Sequence, residues 1–153
     1  MDRHIFLVGM PGSGKSALGR RVASKLQIPY LDTDVYLTET TGMDTAQLYQ
    51  YFGEQAFRDG ETRLLQNLAG AVPGIISTGG GVCLRECNRR LMKNHGVIVL
   101  IDRPIDDIML DIRAEKRPFL AQKGREEDGQ GRSRCGTKGP GQAWPQTQGR
   151  NRR

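Results

Sequence analysis

The sequence predicts an α/β fold, a central parallel sheet covered by helices on both faces. Three observations carry that expectation. Short apolar, β-branched runs alternate with stretches whose hydrophobic residues recur at helical spacing, the pattern of strand–helix–strand crossovers. The first run leads into Gly9-Met10-Pro11-Gly12-Ser13-Gly14-Lys15-Ser16, which fits G-x-x-x-x-G-K-[ST]. Finally, this loop, the Asp32/Asp34 pair and the triplet Gly79-Gly80-Gly81 all follow the carboxyl ends of expected strands. That rim is where parallel sheets bind ligands.

His4-Ile5-Phe6-Leu7-Val8 reads as a buried strand. Beyond the loop, Leu18, Val22, Ala23 and Leu26 share one helical face, with Arg20, Arg21 and Lys25 on the other. The glycines therefore sit at a strand-to-helix turn, where free N–H groups and the positive helix end face one point. Such a loop suits the phosphates of a nucleoside triphosphate, cradled by Gly12, Ser13, Gly14, Lys15, Ser16 and Ala17. Lys15 would reach the β- and γ-phosphates, and the Ser16 hydroxyl would ligate Mg²⁺. By chance alone the motif would arise in a chain of this length on the order of one time in a hundred.

Pro29-Tyr30-Leu31 leads into Asp32-Thr33-Asp34, a second short strand ending in carboxylates. Residues 45–70 read as helix, with Leu48, Tyr51, Phe52, Phe57, Leu64, Leu65 and Leu68 as apolar positions and a break near Gly53. After Val72-Pro73-Gly74, residues 75–78 form a third strand that stops at the glycine triplet. Residues 84–94 are helical, 97–101 is the clearest strand, and another helix follows over roughly 105–115. The result is a three-layer P-loop architecture with four parallel strands.

With 153 residues the chain makes one domain. No apolar stretch approaches the roughly 20 residues of a membrane helix, and no charged-then-apolar leader precedes the first strand. Cys83, Cys87 and Cys135 are too few and odd in number for a disulfide framework, which points to free thiols in a reduced, cytoplasmic protein. Cys83 and Cys87 could share a helix face, but further zinc ligands are lacking nearby. The net charge of +6 belongs mainly to the tail. Residues 122–153 hold eight Lys/Arg and three Asp/Glu, together with seven glycines and five glutamines. Only Cys135, Ala143 and Trp144 are hydrophobic there, so the segment is expected to be a disordered basic tail after a domain over residues 1–121. A tail-driven nucleic-acid binder is not favoured, because Trp144 is the tail's one aromatic for base stacking.

The phosphate loop, Asp32-Thr33-Asp34, Phe57-Arg58-Asp59-Gly60-Glu61, Gly79-Gly80-Gly81 and Arg117-Pro118-Phe119-Leu120 follow one another in the order and approximate spacing of shikimate kinase. The resemblance covers residues 1 to about 121. It implies a P-loop kinase that phosphorylates the 3-hydroxyl of shikimate with ATP and Mg²⁺, in aromatic amino-acid biosynthesis. The resemblance makes Asp34 the group that binds, and is a candidate base for, a substrate hydroxyl. It sets Asp32 near Mg²⁺ alongside Ser16, Arg58 on the shikimate carboxylate with Glu61 orienting it, and the glycine triplet against the substrate ring. Arg117, in a lid near residues 113–124, would approach the transferred phosphoryl group, and Arg113 would stack on adenine. It further suggests a monomer.

Each residue also has a plainer reading. Either aspartate can cap the following helix, Arg58 and Glu61 can form an ordinary i, i+3 pair, and the triplet can be a strand-ending turn. Arg117 can be a solvated loop residue, and the isolated His4 and His95 read as structural or exposed. The sequence departs from the family pattern after the lid: the expected R-x-x-x-Y helix, a fifth strand and a terminal helix are not recognisable. That would leave the sheet with an uncovered edge. A reading-frame shift shortly after Gly124 accounts for the abrupt change in composition, with natural divergence as its rival; the other two frames of the coding nucleotides decide between them. Two alternatives follow: an ATP binder that cannot close on an acceptor, and a related small-metabolite kinase such as a gluconate kinase.

Overall fold

The computed structural model describes residues 2–111. In chain order the elements are β1 (His4–Val8), α1 (Lys15–Leu26), β2 (Tyr30–Asp32), α2 (Thr33–Thr41) and α3 (Thr45–Ala69). Then come β3 (Ile75–Ser77), a 3₁₀ turn (Val82–Leu84), α4 (Glu86–His95), β4 (Gly96–Leu100) and α5 (Ile105–Asp111). The four strands form one parallel sheet in the order β2-β3-β1-β4. The lid around 113–124, Arg113, Arg117 and the tail over 122–153 lie outside the described residues.

Alternation along β1 divides the core into two layers. Phe6 and Val8 pack with Ile76, Leu65, Val82 and Met92 on the side of α3 and α4. Leu7 joins Ile75 and Ala23 on the side of α1. A third cluster of Leu37, Leu48, Phe57 and Leu64 ties α2 to α3. Since β1 pairs with β3 on one edge and β4 on the other, the phosphate loop leaves the sheet from an interior strand.

Three features depart from the sequence expectation or extend it. First, α2 follows directly on β2, where no apolar period announces a helix; Asp32 starts it by accepting bonds from the Asp34 and Val35 N–H groups. Second, the long helix α3 does break at Gly53, whose φ of 77° and ψ of 167° are non-helical. Its start is fixed by a capping box between Asp44 and Gln47. Third, Cys83 is free and half-buried, and burial pushes its thiol pKa up.

Candidate active site

The loop between β1 and α1 closes on itself. Lys15 is only 7 % exposed, and its ammonium donates to the carbonyl oxygens of Gly9 at 3.0 Å and Met10 at 2.7 Å. Gly14 occupies the N-cap of α1 at φ 93°, a left-handed angle that suits glycine, and no side chain caps the helix. A helix start without a side-chain cap is the condition for anion binding. The Ser13 hydroxyl is buried without a hydrogen-bond partner, again beside this loop. From the turn after β4, Arg103 reaches the Gly12 carbonyl at 3.4 Å.

Asp32 uses both of its oxygens. Oδ1 caps α2, while Oδ2 accepts from the Ser16 hydroxyl at 2.6 Å. Capping and a role at the rim therefore coexist in this one side chain. A hydroxyl and a carboxylate in this proximity form a hard oxygen pair of the type Mg²⁺ takes when phosphates supply further ligands. Among the described residues no group of three His, Cys, Asp or Glu could hold a metal alone. Tyr30 borders the pair, and burial, reinforced by the Asp32 charge and opposed by the bond to Ser77, pushes its phenol pKa up.

Across the rim, Arg58 donates to Glu61 Oε2 at 2.8 Å, and Glu61 is 4 % exposed. Burial pushes the Glu61 carboxyl above its ordinary range; the Arg58 charge opposes this and the Asp34 charge adds to it. The pair is thus not the exposed i, i+3 contact that spacing alone would suggest. Arg58 stands with its guanidinium 5.4 Å from the Phe57 ring centroid, and its Nε, buried without a hydrogen bond, lies 3.7 Å from Glu54 Oε1. A planar guanidinium braced in this way by Glu61 suits a planar carboxylate.

The glycine triplet links these parts. A Cβ on Gly79 would come within 2.7 Å of Glu61 Oε1 and 3.0 Å of Asp34 Oδ1. On Gly80 it would lie 2.5 Å from Pro11 of the phosphate loop, and on Gly81 it would overlap the Arg58 guanidinium. Three consecutive positions without side chains let three separate elements converge. Thr33 fixes the arrangement by accepting the Gly79 N–H at 3.0 Å, and a buried Thr78 hydroxyl ties the end of β3 to Leu7.

The structure accordingly brings Lys15, Ser16, Asp32, Asp34, Arg58 and the triplet to one rim. The contributions of Thr33, Tyr30, Ser77 and Arg103 escape sequence reasoning. Thr33 alone leaves a signal, since it sits between two singled-out aspartates. Arg85, which holds Asp59 at 2.6 Å behind Arg58, leaves none.

Comparisons with known proteins agree with this geometry. The shikimate kinase family model matches residues 11–136. A shikimate kinase of Clostridium botulinum (strain Eklund 17B / Type B) is 37 % identical over 126 residues, covering 82 % of this chain and 75 % of the relative. The structure of shikimate kinase from Acinetobacter baumannii in complex with shikimate superposes with a TM-score of 0.73 at 32 % identity, over 77 % of this chain and 66 % of that one. Shikimate kinase from Bacteroides thetaiotaomicron gives a TM-score of 0.71 at 34 % identity, covering 81 % of this chain and 70 % of its own. A family model that matches residues 11–136, and a relative 37 % identical over 126 residues, make this chain a kinase that belongs to the shikimate kinase family.

Proposed function

We propose that the chain transfers the γ-phosphoryl group of ATP to the 3-hydroxyl of shikimate, giving shikimate 3-phosphate and ADP. The observation that carries this reading is the convergence at Gly79–Gly81 of Asp34 and Glu61, Pro11 of the phosphate loop, and Arg58. A cation suited to a carboxylate and a carboxylate suited to a hydroxyl, beside the same phosphate loop, support the reading.

In this reading, the first-turn N–H groups of α1 hold the phosphates. Lys15 turns from the Gly9 and Met10 carbonyls to the β- and γ-oxygens. Arg58, braced by Glu61, holds the shikimate carboxylate and so orients the ring. Asp34 takes the proton of the 3-hydroxyl as that oxygen bonds to phosphorus and the bond to the ADP oxygen breaks. Positioning of the two reactants and neutralisation of charge account for most of the acceleration. Ser16 and Asp32 would hold Mg²⁺, which when bound offsets charge on the phosphates. Arg117 of the lid would add positive charge at the transferred group. Among the described residues no helix is long and apolar enough to cross a membrane, and we place the enzyme in the cytoplasm as a monomer.

The test is ADP release by the full chain with ATP and Mg²⁺, with and without shikimate. Shikimate-dependent ADP supports the assignment. Bound ATP with no stimulation by shikimate would reduce the chain to a nucleotide binder. Stimulation by gluconate instead would move it to another acceptor.

A further inference from the structure

The Tyr30 hydroxyl lies at a junction that the proposed reaction depends on without touching. It is 3.2 Å from the Ser16 carbonyl oxygen, 3.3 Å from Asp32 Oδ2 and 3.2 Å from Ser77 Oγ. Ser77 in turn donates to the Lys15 carbonyl at 3.1 Å. A serine hydroxyl has one proton, so toward Tyr30 Ser77 can only accept. The single phenol proton therefore faces three acceptors, of which the carboxylate oxygen is the strongest.

Packing holds the ring in place independently of these bonds. The Arg20 guanidinium stands 5.8 Å from its centroid. On the helix side, a Cβ at Gly19 would come within 2.7 Å of Tyr30 Cε2 and 2.9 Å of Ser77 Oγ. The bare surface of α1 thus lets the phenol reach under the helix to Ser16 and Asp32. A phenylalanine would fill the same space, so the oxygen has a purpose other than packing.

We infer that Tyr30 is a positioning residue for a divalent cation: its hydroxyl steadies Asp32 Oδ2 against the first turn of α1. Ser16 and Asp32 come from different elements, sixteen residues apart, and meet through one 2.6 Å bond between flexible groups. A donor fixed to the sheet reduces the freedom the carboxylate would otherwise lose on binding the cation. The inference rests on the nucleotide reading above.

Tyr30→Phe in the full chain removes the oxygen and leaves the ring contacts. Mn²⁺ titrated into the protein–ADP complex, followed by its electron paramagnetic resonance signal, reads cation affinity without turnover. We expect about 5- to 10-fold weaker Mn²⁺ binding in the variant. ADP affinity in EDTA and the thermal midpoint of the cation-free protein should stay unchanged. Ser77→Ala should cost less, because the Tyr30–Asp32 contact survives it. Unchanged Mn²⁺ affinity in Tyr30→Phe overturns the inference. So does an equal loss of ADP affinity in EDTA, a lowered midpoint, or a loss in Ser77→Ala as large as in Tyr30→Phe, each of which assigns Tyr30 to the fold or to Lys15. A wild-type ADP complex that takes up no Mn²⁺ would overturn the nucleotide reading and this inference with it.

Discussion

Strands β1 and β4 carry the same kind of sequence, five residues of which four are apolar, yet they are buried to opposite extents. Phe6 is 0 % exposed in β1, whereas Val97 and Leu100 in β4 are 54 % and 65 % exposed. Composition does not separate them; sheet order does. β1 is hydrogen-bonded on both edges and has helices on both faces, while among the described residues β4 pairs with β1 alone. The candidate site sits on the other three strands, the edge strand β2 included. The phosphate loop, Asp32 and the glycine triplet leave β1, β2 and β3, whereas the turn after β4 contributes a long 3.4 Å bond from Arg103.

The largest test of this contrast is a paired truncation. Phe6→Ala removes a ring from the centre of the cluster with Leu65, Ile76 and Met92 and should cost about 3–5 kcal/mol of stability. Val99→Ala, at a site 38 % exposed on β4, should cost about 0.5 kcal/mol or less. Denaturant unfolding of both variants measures the difference. Equal losses would mean that β4 is covered in solution and that the contrast is false.

How much of this could be read from the residues depends on whether an element speaks locally. The phosphate loop did, because cradling phosphate demands particular letters at fixed spacing, and β1 and β4 did, because each is a short apolar run. The helix α2 did not: Thr33–Thr41 has no apolar period and exists because Asp32 caps it while Leu37 docks against α3. For the aspartates, the sequence posed capping and site chemistry as alternatives for one side chain, although Asp32 has an oxygen for each. The triplet was read as room for a ligand, but its first neighbours are Asp34, Glu61, Pro11 and Arg58 themselves. The contact of Tyr30 with Ser77 joins residues forty-seven positions apart, and no local pattern encodes it. Arg117 stays an expectation, outside the described residues.

A change of charge probes the same contrast more gently. Glu61 sits among Arg58, Asp34 and Arg85, and its carboxyl is pushed up mainly by burial. A carboxyl that binds its proton more tightly in the folded state favours folding when protonated. That contribution is complete below the ordinary carboxylate range and is lost as the pH rises through the raised folded value. Glu61→Gln should therefore flatten the fall in thermal midpoint that the wild type shows across this window. It also removes the charged partner of Arg58, so the shikimate KM should rise about 3- to 10-fold at neutral pH with a smaller change in kcat. A wild-type midpoint that rises across the window would contradict the direction assigned to Glu61.

On the β4 flank the opposite substitution should be nearly free. Val97→Lys combined with Val99→Lys introduces two charges where both side chains already meet water. An exposed lysine keeps its ammonium hydrated and lays its stem along the apolar surface, so each site should change stability by about 0.5 kcal/mol or less. The consequence to look for is colloidal. An apolar strand with one unpaired edge invites pairing with another chain, and lysines on it discourage that. Sedimentation velocity over a concentration series should show less association for the double variant than for the wild type, at an unchanged unfolding midpoint. A loss of several kcal/mol would instead mean that Val97 and Val99 are buried in solution, and the difference between β1 and β4 would then be one of partner rather than of exposure.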